Sequence, residues 1–258
     1  MGLIVLYAIA ESCPFDALLV RDMKKAVNSL LQLNLRRFRV PQKNLAKYSA
    51  LDVVKQALEL LFEFSPSEKN YREAMRTLQV YSEGDLEMLT TLQASFKLIA
   101  NAVYNAYSAQ RHAESIAPGT LFLQGIPFEV NELQQSFRFV GVRPPDISPP
   151  TVKRTIFLDQ GFEPYESLLE DKASQTEVEN GREENWAEII HSSLGTGEET
   201  ALIRAGADHL VPSRLLSRSV LNRLRSPKVG KLPGLLLKRG IELRVIYRVP
   251  DVNQVFGK

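Results

Sequence analysis

The sequence predicts a predominantly α protein with a smaller α+β C-terminal part, built as a helical N-terminal bundle followed by a proline-rich connector. Three observations carry this expectation. Apolar residues recur at three- and four-residue steps through most of the first 115 residues, the period of amphipathic helices. Four prolines then fall within RPPDISPP at 143–150, a composition that resists helix and central strand alike. Beyond it, Ile241, Leu243, Val245, Tyr247 and Val249 alternate with Glu242, Arg244 and Arg248, a period-2 strand with one defect at Ile246. The expected divisions are a helical domain at 1–117, short strands and connector at 118–150, and an α+β domain at 151–258.

The elements follow in order. Asp16, after Pro14, offers a carboxylate to the free N–H groups of a helix start. Leu19, Val20, Met23, Ala26, Val27, Leu30 and Leu31 then line one helical face. Ser49 and Asp52 resemble a capping box ahead of Val53, Val54, Ala57, Leu58 and Leu61. Ser67 caps a helix through Tyr71, Met75 and Leu78. The longest element opens at Ser82 and runs to about His112. Its residues Leu89, Leu92, Phe96, Ile99, Val103 and Ala106 are spaced 3, 4, 3, 4, 3, a heptad seam that seeks other helices in a bundle core or across a subunit interface. The five residues from Leu89 to Val103 are the candidate self-association set. Residues 120–124, 137–142 and 151–158 read as short strands, 165–172 and 183–192 as short helices, and 175–184 as a polar loop. Ser213 caps a helix to Arg225. Residues 231–240 are a turn-rich strand candidate that could form a hairpin with 241–249 around Gly240.

The composition, 44% hydrophobic and 24% charged over 258 residues, excludes collagen-like, fully disordered and disulfide-scaffold chains. A single cysteine, Cys13, cannot close an internal disulfide or build a zinc site alone, which fits a reducing, intracellular compartment. The apolar run Leu3–Ala10 has no basic residue before it and is too short to span a bilayer, so a soluble chain without integral membrane insertion is expected.

Charge is segregated. Residues 201–258 hold 12 Lys/Arg against 3 Asp/Glu, a balance of +9, while 159–199 hold 12 acids against Lys172 and Arg182, a balance of −10. Two basic segments suggest phosphate contacts. Arg36, Arg37, Arg39, Lys43 and Lys47 come without an acid and are interleaved with Phe38 and Tyr48. Arg214, Arg218 and Arg225 share one face of the expected 213–225 helix, and Lys228, Lys231, Lys238 and Arg239 continue the run. The acidic block can instead neutralise these cations in cis.

Motifs that dictate a reaction are absent: no G-x-x-x-x-G-K-[ST], no G-x-G-x-x-G and no G-x-S-x-G. His112, His191 and His209 do not sit at ligand spacing, so no metal and no cofactor is expected. Glu188, His191 and Ser192 allow a relay only combinatorially. No catalytic residue is assigned from sequence. The function these observations favour is non-enzymatic: an assembly protein holding nucleic acid on basic surfaces, nucleocapsid- or matrix-like, and forming a homo-oligomer. The alternatives are an adaptor for a protein partner, docking through the heptad helix and proline segment, and an enzyme whose site is assembled from remote residues. A pocket lined by Glu188, His191 or His209 would mark the last.

Overall fold

The computed structural model describes residues 4–12, 14, 16–37, 49–62, 66–162, 175–194, 200–210 and 231–257. The chain runs β1 (Ile4–Glu11), α1 (Ala17–Arg37), α2 (Ala50–Phe62), α3 (Glu68–Ser82), α4 (Leu86–Ile116), β2 (Thr120–Leu123), α5 (Pro127–Phe139), β3 (Arg154–Phe157), α6 (Gln175–Ser193), β4 (Ala201–Gly206), α7 (Ala207–Leu210), α8 (Leu232–Lys238), β5 (Ile241–Arg248) and α9 (Val252–Phe256).

The fold class differs from the expectation. The strands form one five-stranded sheet in the order β3-β2-β4-β1-β5, and every pairing is parallel. This is an α/β protein, not a predominantly α one with a small α+β tail. The reason lies in β1 and β4. IVLYAIAE and ALIRAG are near-continuous apolar runs, because strands central to a parallel sheet are buried on both faces and need no alternation. Without a period, such runs are silent to pattern reading.

Other assignments change with it. The expected strand at 137–142 falls at the end of α5 and the turn after it, and 231–240 is mostly helix α8. The expected hairpin does not form, since β5 pairs with β1 in parallel. The defect at Ile246 is a β-bulge: Val245 aligns with Ala8, but Tyr247 aligns with Ile9. The polar stretch 175–184 belongs to α6. The expected helices at 165–172 and 213–225 lie outside the described residues.

The chain divides into two compact units, each discontinuous in sequence. The sheet unit comprises residues 1–17, 107–130 and 146–249. On one face of its sheet, Leu6, Ala8, Ala10, Phe122, Leu158, Ala201, Ile203 and Ala205 form a buried core with Trp186, Ala187 and Ile190 of α6 and Leu232 and Leu236 of α8. The helical unit comprises residues 18–106, 131–145 and 250–258. Its capping box forms as expected: the Ser49 hydroxyl accepts from the Asp52 N–H at 3.1 Å, and the Asp52 carboxylate accepts from the Ser49 N–H at 3.1 Å. Ser67 caps α3 by accepting from the Asn70 N–H, and Glu83 ends it in the left-handed region. Leu92, Phe96, Ile99 and Val103 of the heptad seam are at most 1% exposed within the chain itself, and Leu89 is half-buried. No helix among the described residues is long and apolar enough to cross a membrane.

Candidate functional site

Parallel order fixes where a site can lie. From β2 the chain moves outward to β3, and from β4 it moves the other way to β5. The connections therefore diverge between β2 and β4, the arrangement that opens a crevice at the carboxyl ends of the strands. Charged and polar side chains gather at those ends. Glu11 ends β1, Gln124 and Gly125 follow β2, Asp159 follows β3, and Arg204 and Gly206 end β4, with His209 on α7 directly after.

All of these side chains are buried. Among the described residues, the buried Asp, Glu, Arg and His side chains are Glu11, Asp16, Glu129, Asp159, Arg182, Glu183, Arg204 and His209, and all eight belong to the sheet unit. Charges this deep persist only when paired and hydrogen-bonded. Arg204 donates from Nε to Glu11 at 2.7 Å and from Nη1 to the Ile147 carbonyl at 3.1 Å. The Asp159 carboxylate accepts four donors: Arg182 Nε and Trp186 Nε1 on Oδ1, at 2.7 and 2.8 Å, and Arg182 Nη2 and the Gly125 N–H on Oδ2, both at 2.7 Å. Gln124 links the ends of β2 and β4. Its side-chain oxygen accepts from the Gly206 N–H at 2.7 Å, and its side-chain nitrogen donates to Asp16 at 3.0 Å. A Cβ at Gly206 would stand 2.6 Å from the Asp208 carboxylate, so the exposed Asp208 side chain would have to move aside.

The group with chemistry is His209. Its Nδ1 donates to Glu183 Oε1 at 2.7 Å, and its ring lies 4.8 Å from the Trp186 ring. The second oxygen of Glu183 accepts the N–H groups of Lys231 and Leu232, so the carboxylate also holds the start of α8. Burial of the imidazole favours its neutral form. The hydrogen bond to Glu183 and the charges of Asp208 and Glu183 act against burial and against Arg182, and the net result raises the His209 pKa above the ordinary 6.5. A histidine held by a carboxylate in this way is oriented, fixed in one tautomer when neutral, and stabilised when charged.

The sequence-selected residues are distributed differently. Arg39, Lys43, Lys47, Arg214, Arg218, Arg225 and Lys228 lie outside the described residues, and Arg36 and Arg37 end α1. Lys231 and Lys238 are exposed at the two ends of α8. Arg239 reaches Glu188 at 3.4 Å, and Arg244 makes two 2.9 Å bonds to Glu242. With Arg204 buried against Glu11, three of the cations behind the +9 balance are therefore paired with carboxylates of this chain. The combinatorial relay is not assembled: Glu188 meets Arg239, Ser192 donates to the Ile189 carbonyl, and His191 is exposed.

The sequence marks His209 only as one residue that could line an enzyme's pocket and does not pair it with Glu183. One signal is legible, namely an arginine inside the apolar run ALIRAG and a glutamate closing IVLYAIAE. A charge inside a buried strand demands a partner, and each of these is the other's.

No protein family, no curated protein and no solved structure matches the chain.

Proposed function

We propose that the chain is an enzyme whose active site lies at the carboxyl ends of the parallel strands, acting on a small polar substrate by acid–base chemistry centred on His209. The observation that carries this reading is the 2.7 Å bond from His209 to the buried carboxylate of Glu183, at the carboxyl end of β4, where the connections from β2 and β4 diverge. With its pKa raised above 6.5, His209 keeps its proton to higher pH than an ordinary imidazole, which suits a proton donor. Nδ1 is engaged by Glu183, which orients the ring. The reaction class that suits such a donor is cleavage by water: the imidazolium gives its proton to the departing atom, and the imidazole recovers one from the attacking water. Glu183 compensates the charge throughout, while the Arg204–Glu11 and Arg182–Asp159 pairs hold the surrounding scaffold.

The test is turnover of a panel of chromogenic carboxyl esters, phosphoesters and amides by the wild type, His209→Ala and Glu183→Gln. The expected loss in either variant is about 100-fold or more, the usual worth of a positioned general acid. Full turnover by a folded His209→Ala protein overturns the reading.

Exposed Lys231 and Lys238 support a second reading, in which the basic segments contact nucleic acid. It requires duplex-DNA affinity that falls steeply with salt and disappears when Arg214, Arg218 and Arg225 are changed together to Glu.

A further inference from the structure

We propose that Asp159 is the positioning residue of the His209–Glu183 pair, acting through Arg182 and Trp186 of α6; the functional sense of this rests on the acid–base reading above.

Arg182, Glu183 and Trp186 lie within five residues on one helix. Arg182 and Trp186 are one turn apart, and both donate to the carboxylate of Asp159. Two donors a turn apart on a single acceptor fix the rotation of a helix about its axis as well as its distance. Glu183 sits between them, and its direction is set by that rotation. The Trp186 ring completes the arrangement: its N–H binds Asp159, its face carries the Arg182 guanidinium 4.8 Å from the ring centre, and its ring packs on His209. Asp159 is itself anchored to the sheet by the Gly125 N–H at the end of β2. The side chain of Asp159 has no accessible surface and that of Arg182 only 4%, so water cannot substitute for either partner.

Asp159 holds the pair without touching it. Its bonds run to Arg182, Trp186 and Gly125, and it reaches the pair through the first two. Asparagine at 159 cannot keep the clamp. Each carboxylate oxygen takes two donors, so an amide nitrogen in either place faces two N–H groups, one of them from the guanidinium.

The experiment follows the ring C–H resonances of the three histidines, His112, His191 and His209, through a pH titration by NMR, with His209→Ala supplying the assignment. It needs no substrate. Asp159→Asn, Arg182→Lys and Trp186→Phe are compared with the wild type. Arg182→Lys keeps the charge and loses the fork, and Trp186→Phe removes one donor with no change of charge. The expected result is a lower His209 midpoint in all three variants, by about one pH unit in Asp159→Asn, a tenfold change in proton affinity, and by less in Trp186→Phe. If Asp159→Asn does not fold, the other two decide. Folded Arg182→Lys and Trp186→Phe proteins with an unmoved His209 midpoint overturn the proposal. Should the midpoints move while His209→Ala retains turnover, the positioning stands and the acid–base reading falls.

Discussion

The helical unit and the sheet unit bury different chemistry. Among the described residues of the helical unit, the interior is made of Leu92, Phe96, Ile99, Leu58, Leu61 and their like, and its buried polar side chains are Ser82, Ser95, Asn101, Asn105 and the tyrosines Tyr71 and Tyr81, with no Asp, Glu, Lys, Arg or His among them. The sheet unit adds to its apolar core eight buried ionisable groups, seven of them tied to the carboxyl ends of its strands or to α6 and α7. An apolar interior specifies volume, and it tolerates exchange between side chains of similar size. A buried ionic network specifies geometry, because each member is costly without its partner. The difference assigns stability as the business of one interior and placement of charge as that of the other.

The sharpest way to break this comparison is to treat the ionic interior as if it were apolar. Arg182→Met retains much of the side-chain volume but leaves the Asp159 carboxyl group buried and short of two donors. The expected cost is about 3–5 kcal/mol of unfolding free energy. In the helical unit, Leu92→Met is expected to cost less than about 1.5 kcal/mol, because volume is conserved. Leu92→Ala, which opens a cavity, is expected to cost about 2–5 kcal/mol. Urea denaturation of the three variants measures all of these. If Arg182→Met proves as mild as Leu92→Met, the two interiors do not differ in this way.

The same contrast explains what the sequence discloses. The seam of α4 is legible because a helix buried on one side repeats its apolar residues every three or four positions. Strand β5, with exposed and half-buried positions, also shows its alternation. Strands β1 and β4 are covered on both faces and carry no period, and without them the fold class reads wrongly. The candidate site is harder still to read. Glu11, Asp159, Glu183 and His209 are far apart in the chain, and a parallel sheet collects them only because every strand delivers its carboxyl end to one side. Charge counting misleads for a related reason. Arg204 contributes to the +9 balance of 201–258, yet it lies in the core against Glu11.

A smaller effect separates the interiors by pH. The folded-state pKa of His209 is raised above 6.5. The stability this pair contributes is therefore complete below the unfolded histidine value and is lost as pH rises through the folded midpoint. Melting temperatures of the wild type and Glu183→Gln are expected to differ most in mildly acid solution and to converge on the alkaline side. Trp186, the only tryptophan in the chain, packs at a tilt against the titrating ring, 4.8 Å between ring centres. Its fluorescence is expected to follow the same midpoint, with quenching in the protonated form. A gap between the two melting temperatures that widens with rising pH contradicts a raised His209 pKa.

The smallest effect belongs to the helical unit and runs the other way. The hydrogen bonds from the Ser49 hydroxyl and N–H, aided by Lys55, hold the Asp52 carboxyl below its usual 3.8, against a small opposing contribution from burial. This stabilisation is present above the unfolded carboxylate value and is lost as pH falls through the folded one. Asp52 is largely exposed, so the ionic part is screened and small. Ser49→Ala removes the cap on α2 and is expected to cost about 1 kcal/mol at neutral pH. Part of that cost is expected to vanish below the Asp52 midpoint, where the protonated carboxyl no longer competes for the Ser49 donors. Denaturation of the wild type and Ser49→Ala at a series of pH values from 7 downward measures both quantities. Acid thus weakens a helix cap on the surface of one unit, while alkali weakens the histidine–carboxylate pair inside the other. The two signs are independent because one group is a carboxyl stabilised when charged at the water boundary, and the other an imidazole kept charged where water is excluded.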